Sequence, residues 1–280
     1  DKIDIKATFN VEFDQIQIHQ FIAYKNVSKD TLKSIYLNDW SNSYSTKSTP
    51  LAKRFSEEYD GKFHFAESEE RGFTAITSII NTDDNTNLNF ERLQEHPDVL
   101  KIDLANPLLP NESYNIILEY IVKLPKTKFT DYGVTPLKDY NLKYWYITPA
   151  VYNGDWNYYS NKNLDDLFIP KADITLQVEF PRNYVLTSEL DLVNTTQSNN
   201  SQTLLLQGTN RVDSKLFLQK LPSYKTVQTD NFYIVSNYTE KDLEPSKKAI
   251  ITDKITAFVT KHLGSYPHKK LTKRVILSNH

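Results

Sequence analysis

Ile3, Ile5, Ala7, Phe9, Val11 and Phe13 alternate with Asp4, Lys6, Thr8, Asn10 and Glu12. A period of two sustained this long predicts a strand with one buried face. Beyond Asp14-Gln15 the pattern resumes with Ile16, Ile18, Ile22 and Tyr24, so an antiparallel hairpin is the simplest element. A third strand is predicted over 32–40. Thr49-Pro50-Leu51 predicts a helix start, with Thr49 as N-cap and Pro50 at the first helical position, ending near Glu58.

Further strands are predicted over 63–65, 73–81 and 99–104. In 114–124, Tyr114, Ile116, Leu118, Tyr120, Val122 and Leu124 alternate while Ile117 and Ile121 occupy the other side, which predicts a strand buried on both faces. Residues 126–140 read as loop, 141–151 as an aromatic extended segment, and 194–201 as a polar turn. Strands are predicted over 173–180, 184–190, 203–207 and 215–221. Many short strands with turn signals between them predict a mainly β sandwich or large open sheet.

The pattern then changes. A strand over 231–236 is followed by a helical stretch over 239–263, with Thr239 or Ser246 as cap and Pro245 near its start. Ile251, Ile255, Phe258 and His262 share one helical face, flanked by Ile250 and Val259, and Gly264 is placed to end the helix. Another strand is predicted over 273–277. The expected organisation is a β domain over 1–225 and an incomplete strand–helix–strand unit over 226–280. The helix's apolar face is expected to lack a covering layer in this strand–helix–strand unit. The start in mid-pattern at Asp1 is read as a mature or trimmed product.

Composition narrows the function. Lys and Arg number 33 against 35 Asp and Glu, a net charge of −2, which disfavours a nucleic-acid partner, since that needs a clustered basic face. No transmembrane segment is expected, because no apolar run approaches the length of a spanning helix. Cysteine is absent, so disulfides, thiolate metal sites and a cysteine nucleophile are excluded.

His19, His64, His96, His262, His268 and His280 contain no pair at i, i+4, so no zinc-binding His-Glu-x-x-His helix is present. No Gly-x-Ser-x-Gly elbow occurs, and the six glycines never cluster into a phosphate-cradling loop. Asp83-Asp84-Asn85-Thr86-Asn87 has the opening of a calcium loop but Leu88 where glycine is required and Gln94 at the closing position, so it reads as an exposed acidic turn. Asp165-Asp166 reads as a solvated loop, because neighbouring carboxylates on an extended chain point apart. Tyr144, Trp145, Tyr146, Tyr152, Trp156, Tyr158 and Tyr159 form the densest aromatic group. Packing is its default role. A carbohydrate- or peptide-binding surface built on Trp145 and Trp156 is the alternative.

The stretches Phe129-Thr130-Asp131-Tyr132-Gly133, Tyr140-Asn141-Leu142-Lys143-Tyr144-Trp145-Tyr146, Ala150-Val151-Tyr152 and Gly154-Asp155-Trp156 resemble bacterial M1-type zinc aminopeptidases (gluzincins), most of all their Bacteroidetes branch. The runs Ala172 to Leu186 and Leu37-Asn38-Asp39-Trp40 are similar to the same family. The resemblance implies a large saddle-shaped antiparallel β domain followed by the start of a thermolysin-like catalytic domain. It implies zinc in the parent protein and none in this portion, with peptide substrate engaged through a catalytic domain that follows. It also implies a periplasmic or secreted location. No catalytic or metal residue transfers to this sequence. The family places a Gln or Glu of the β domain near the substrate amino terminus, and the matching segment, Tyr146-Ile147-Thr148-Pro149, has neither. Tyr146, Thr148 and Trp156 are the candidate cleft or binding-surface residues. A third reading is a scaffold of aminopeptidase type whose catalytic machinery is gone.

Overall fold

The computed structural model describes residues 1–162, 167–220, 225–228, 233–236, 245–265, 268 and 270–273. The alternation at the start of the chain forms β1 (Lys2–Asn10) and β2 (Gln15–Lys25), which pair antiparallel from Lys2↔Ala23 to Asn10↔Gln15. Next come β3 (Leu32–Asn38) and a single 3-10 turn over Trp40–Tyr44. Helix α1 (Pro50–Glu57) follows, and the Thr49 hydroxyl accepts from the Ala52 N–H at its N-terminus, as a capping threonine should. The middle of the chain holds β4 (Phe73–Asn81), β5 (Phe90–Arg92), β6 (Val99–Leu108) and β7 (Ser113–Lys123). Short strands β8 (Gly133–Val134), β9 (Tyr140–Leu142), β10 (Thr148–Pro149), β11 (Val151–Tyr152) and β12 (Trp156–Asn157) occupy the aromatic region. Then follow β13 (Ala172–Pro181), β14 (Val185–Ser188), β15 (Asp191–Gln197), β16 (Ser201–Arg211) and β17 (Leu216–Gln219). The last described elements are β18 (Lys225–Gln228), β19 (Tyr233–Ser236), α2 (Pro245–Leu263) and β20 (Lys270–Lys273).

The chain is mainly β, as the alternation predicts. The largest sheet has seven strands in the order β15-β16-β13-β1-β2-β7-β4, antiparallel except where β1 runs parallel to β13. Four-stranded sheets β10-β3-β6-β5 and β14-β17-β9-β8 pack on it. Ile3, Ile5 and Ala7 of β1, Ile16, Ile18 and Ile22 of β2, and Ile174, Leu176 and Val178 of β13 point into one core with Ile35, Leu37, Leu100, Ile102, Leu142 and Leu218 of the facing sheets. Fully burying each such side chain contributes roughly 1.5–3 kcal/mol. The opposite face of the large sheet, carrying Lys6 and Thr8, is solvated.

Bulges explain where strict alternation fails. Leu32 and Ile35 are three residues apart yet both buried, because the β3–β6 register shifts between Leu32 and Ser34. A shift between Ile76 and Ser78 does the same in β4.

Several expectations are corrected. Residues 63–65 form a turn rather than a strand: Phe63 is buried against Phe55 and Phe129, while Phe65 points to solvent. Strand β7 has one fully buried face, but Ile117 and Ile121 on the other are only half-buried and Glu119 is exposed. Residues 194–197 belong to strand β15, and the polar turn is confined to the residues that follow.

In the last part β18, β19 and β20 make a three-stranded sheet, with β19 and β20 parallel and α2 crossing between them. The expected boundary at 225/226 falls within β18. Gly264 adopts φ +93° and its N–H meets the Thr260 carbonyl at 3.2 Å, the left-handed helix end that glycine favours. The helix caps proposed at Thr239 and the strand residues 274–277 lie outside the described residues.

Candidate functional site

The aromatic segment 144–158 is fastened to the large sheet by a buried polar bridge. Gln20 occupies an inward position of β2 between Ile18 and Ile22 and is fully buried. Its Nε2 donates to the Ile147 carbonyl at 2.7 Å, and its Oε1 accepts from the Tyr120 hydroxyl. The same hydroxyl accepts from the Ile147 N–H at 3.1 Å. Both polar groups of the Ile147 backbone are thus satisfied by side chains, which lets an irregular segment lie against an apolar core.

Trp145 Nε1 donates to the Ser214 carbonyl at 2.8 Å. Tyr144 takes φ +48°, turning the chain between β9 and β10, and its hydroxyl accepts from the Leu167 N–H. Tyr146 is buried, and burial, followed by the charges of Asp213 and Glu189, pushes its phenol pKa upward. Asp213 is itself buried. Desolvation, reinforced by Glu189, raises its carboxyl to about 7. Its Oδ1 accepts from the Ser214 N–H at 2.7 Å.

A second acidic group lies where β3 meets β6. Asp39 accepts from Thr74 Oγ1 at 2.7 Å and pairs with Arg92 at 2.8 Å. Burial raises its pKa, and Arg92 opposes that rise. Asp98 accepts from Ser160 Oγ and from the Asn161 N–H, each at 2.7 Å, and burial lifts it to about 6. His96 Nδ1 meets the same Ser160 Oγ at 2.8 Å. Aspartate, serine and histidine are in contact, but the serine is central. A histidine must stand between the other two to take a nucleophile's proton, so this arrangement is structural. Nothing in the sequence signalled it, because Ser160 lies more than sixty residues beyond His96 and Asp98.

The three candidate residues fall in different settings. Thr148 is buried in β10, opposite Asn38 of β3. Tyr146 lies beneath the surface beside Asp213. Trp156 is half-buried in a strip of rings, 5.9 Å from Tyr24, 5.3 Å from Tyr36 and 5.2 Å from Tyr152. Tyr36 in turn stacks on Tyr158 at 5.1 Å. The structure therefore does not bring the three together at one open surface. A shallow cleft opens instead beside Trp40, Tyr44, Tyr132, Asn141, Tyr144 and Asn161.

No metal centre is formed among the described residues: no three His, Asp or Glu side chains converge. His19 faces Glu119 and His96 faces Ser160 on separate elements. The Asp84 carboxylate accepts from the N–H and hydroxyl of Thr86, closing the acidic turn on itself. The donors among the described residues do not fit zinc. Asp165 and Asp166 lie outside the described residues. No described helix is long and apolar enough to cross a membrane.

No protein-family model matches the chain, and no curated protein matches it. Solved structures do. An M1 zinc metallopeptidase point mutant from Deinococcus radiodurans superposes with a TM-score of 0.59 at 12% identity, over 98% of this chain and 56% of its own. In fold, this chain is similar to M1 zinc metallopeptidases. The same mutant bound to a Tyr-Ser-Ala substrate gives 0.59 at 11% identity, and the metallopeptidase without the mutation gives 0.57 at 12%. The chain spans little more than half the length of these proteins. At this identity the likeness is one of fold.

Proposed function

We propose that this chain is the N-terminal portion of an M1-type zinc aminopeptidase of the Bacteroidetes-like branch, exported to the periplasm or beyond. Residues 1–225 are the β domain and 226–280 the opening of a thermolysin-like catalytic domain. The observation that carries this reading is the combination of coverage with an unfinished layer. The fold likeness runs over 98% of this chain but 56% of the metallopeptidase. At the same time α2 turns Ile251, Ile255 and Phe258 outward, with Phe258 65% exposed. Exposed apolar stripes of this kind mark surfaces that another layer covers.

In this reading the β domain walls the substrate cleft and restricts cleavage to chain ends. The 146–149 segment is the part of it nearest the substrate amino terminus. Tyr146 and Thr148 shape that wall from beneath, and the Gln20–Tyr120 bridge holds it in place. Zinc and the general base belong to the portion that follows. The aromatic strip supports packing better than a sugar-binding platform, because rings already flank Trp156 and Tyr36.

The test is peptide hydrolysis and bound zinc, measured for residues 1–280 alone and for the longer chain its gene encodes. The expected result is no turnover by 1–280 and chelator-sensitive release of N-terminal residues by the longer chain. Turnover by 1–280 alone, or a longer chain without a His-Glu-x-x-His helix, would overturn the proposal.

A further inference from the structure

Strand β15 closes one side of the seven-stranded sheet, and its two sides are treated very differently. Inward it pairs with β16 from Asp191↔Gln207 to Gln197↔Gln202. Outward it meets no strand among the described residues, and all of its residues are exposed. The far edge of the same sheet, β4, is covered. There the Thr74 N–H donates to Asn42, the Thr74 carbonyl accepts from Arg92, the Asn81 N–H reaches the Thr86 carbonyl, and the Ile79 carbonyl accepts from Leu88.

Open edges are normally guarded by charged side chains, prolines or bulges, because unpaired N–H and C=O groups template further pairing. Between Asp191 and Arg211 the chain carries no charged residue and no proline. The one guard is a bulge at Val193, near the base of the strand. Leu192 and Val193 there are 57% and 54% exposed. Beyond the bulge, residues 194–197 run in unbroken register.

We propose that residues 194–197 pair antiparallel with the same segment of a second copy of this chain, joining two seven-stranded sheets across a two-fold axis. A two-fold axis makes an edge its own complement, so a copy supplies the matching row of donors and acceptors. Charge does not oppose the copy, and it favours this direction over one that sets the two charged bases together. Asp191 at the base lies within electrostatic reach of Lys270 and His268, which Arg211 also influences, whereas the hairpin tip beyond Gln197 is uncharged. Antiparallel pairing sets the charged base of one hairpin beside the uncharged tip of the other. Every register then opposes uncharged side chains, with Thr195 and Thr196 supplying cross-strand partners that sheets favour.

Sedimentation equilibrium across a wide concentration range tests this on three forms of the chain. They are the wild type, Thr195→Lys/Thr196→Lys on the edge, and Phe258→Lys on the outward face of α2. The expected result is a wild-type dimer, retained by Phe258→Lys and weakened at least tenfold by the paired lysines. Amide exchange in β15 should slow as concentration rises, at unchanged circular dichroism. A chain that stays monomeric overturns the proposal, as does a dimer indifferent to the paired lysines or one lost in Phe258→Lys. Capture of an unrelated extended peptide by β15 without self-association would equally overturn it.

Discussion

Gln20 and Ile147 meet across 127 positions of sequence, side-chain amide to backbone carbonyl at 2.7 Å, in the middle of the main core. With Tyr120 they form a polar bridge that binds the aromatic segment to the large sheet. Replacing Gln20 with Leu keeps the volume but strands the Ile147 carbonyl and one bond of the Tyr120 hydroxyl. Leaving buried polar groups unpaired costs about 1–3 kcal/mol each. Urea titration of Gln20→Leu should therefore show a lower midpoint at unchanged slope, with a loss of about 2–4 kcal/mol. A double-mutant cycle with Tyr120→Phe should show strong coupling, and additive losses would mean that the bridge is not a unit.

Asp14 acts through charge rather than neutral hydrogen bonds. It sits at the β1–β2 turn with φ +54°, buried, and pairs with Lys126 at 2.8 Å and Lys138 at 2.7 Å. Desolvation pushes its carboxyl upward, but the lysine hydrogen bonds outweigh that and hold it below the ordinary value of 3.8. In acid the unfolded chain therefore takes up this proton first. The stabilisation is fully present above pH 3.8 and is lost as pH falls through the folded value. Stability curves of wild type and Asp14→Asn should converge in acid and separate by pH 5. Parallel curves would deny the ion pairs any role.

The contrast between these two residues shows what the chain discloses in one dimension. Strands β1, β2 and β13 were legible because one face meets the core and the other meets water, which writes a period of two into the sequence. Strand β15 meets water on both faces, so it carries no period and reads as a polar turn. The Phe63 and Phe65 pair imitated a strand period, yet only Phe63 enters a core. Gln20 did not stand out in the β2 pattern, because a polar residue at an inward position looks like a solvent-facing one until its partner is known. That partner is distant in sequence, as are those of Asp98. The helix α2 and its uncovered stripe were readable, because helical spacing is local.

Asp98 predicts the opposite pH trend to Asp14. Burial raises its folded pKa to about 6 from 3.8. The folded chain holds this proton longer than the unfolded one, so its contribution is fully present below pH 3.8 and is lost as pH rises through about 6. Asp213, raised to about 7, acts in the same direction over a wider window. Stability should therefore fall between pH 4 and 7. Asp98→Asn should flatten the lower part of that fall, a change on the order of 2 kcal/mol, while the part from Asp213 remains. A wild-type curve that rises steadily through this range would contradict the burial of both carboxyls.

Two glycines with similar backbones separate strain from crowding. Gly133 has φ +117° in β8, and a Cβ placed there would lie 2.0 Å from the Pro125 carbonyl oxygen. That carbonyl accepts from the Val134 N–H at 2.8 Å, so the two segments cannot part without losing the bond. Gly154 has φ +95°, and nothing stands within 4 Å of its added Cβ. Gly154→Ala should cost only the left-handed backbone penalty, roughly 1–2 kcal/mol. Gly133→Ala adds a backbone clash to that penalty and should cost several kcal/mol, enough to displace 125–134 and open the floor of the cleft beside Tyr132 and Asn141. Thermal unfolding of the two variants side by side gives the comparison. Equal losses would show that the Pro125–Gly133 approach is not closely packed in solution.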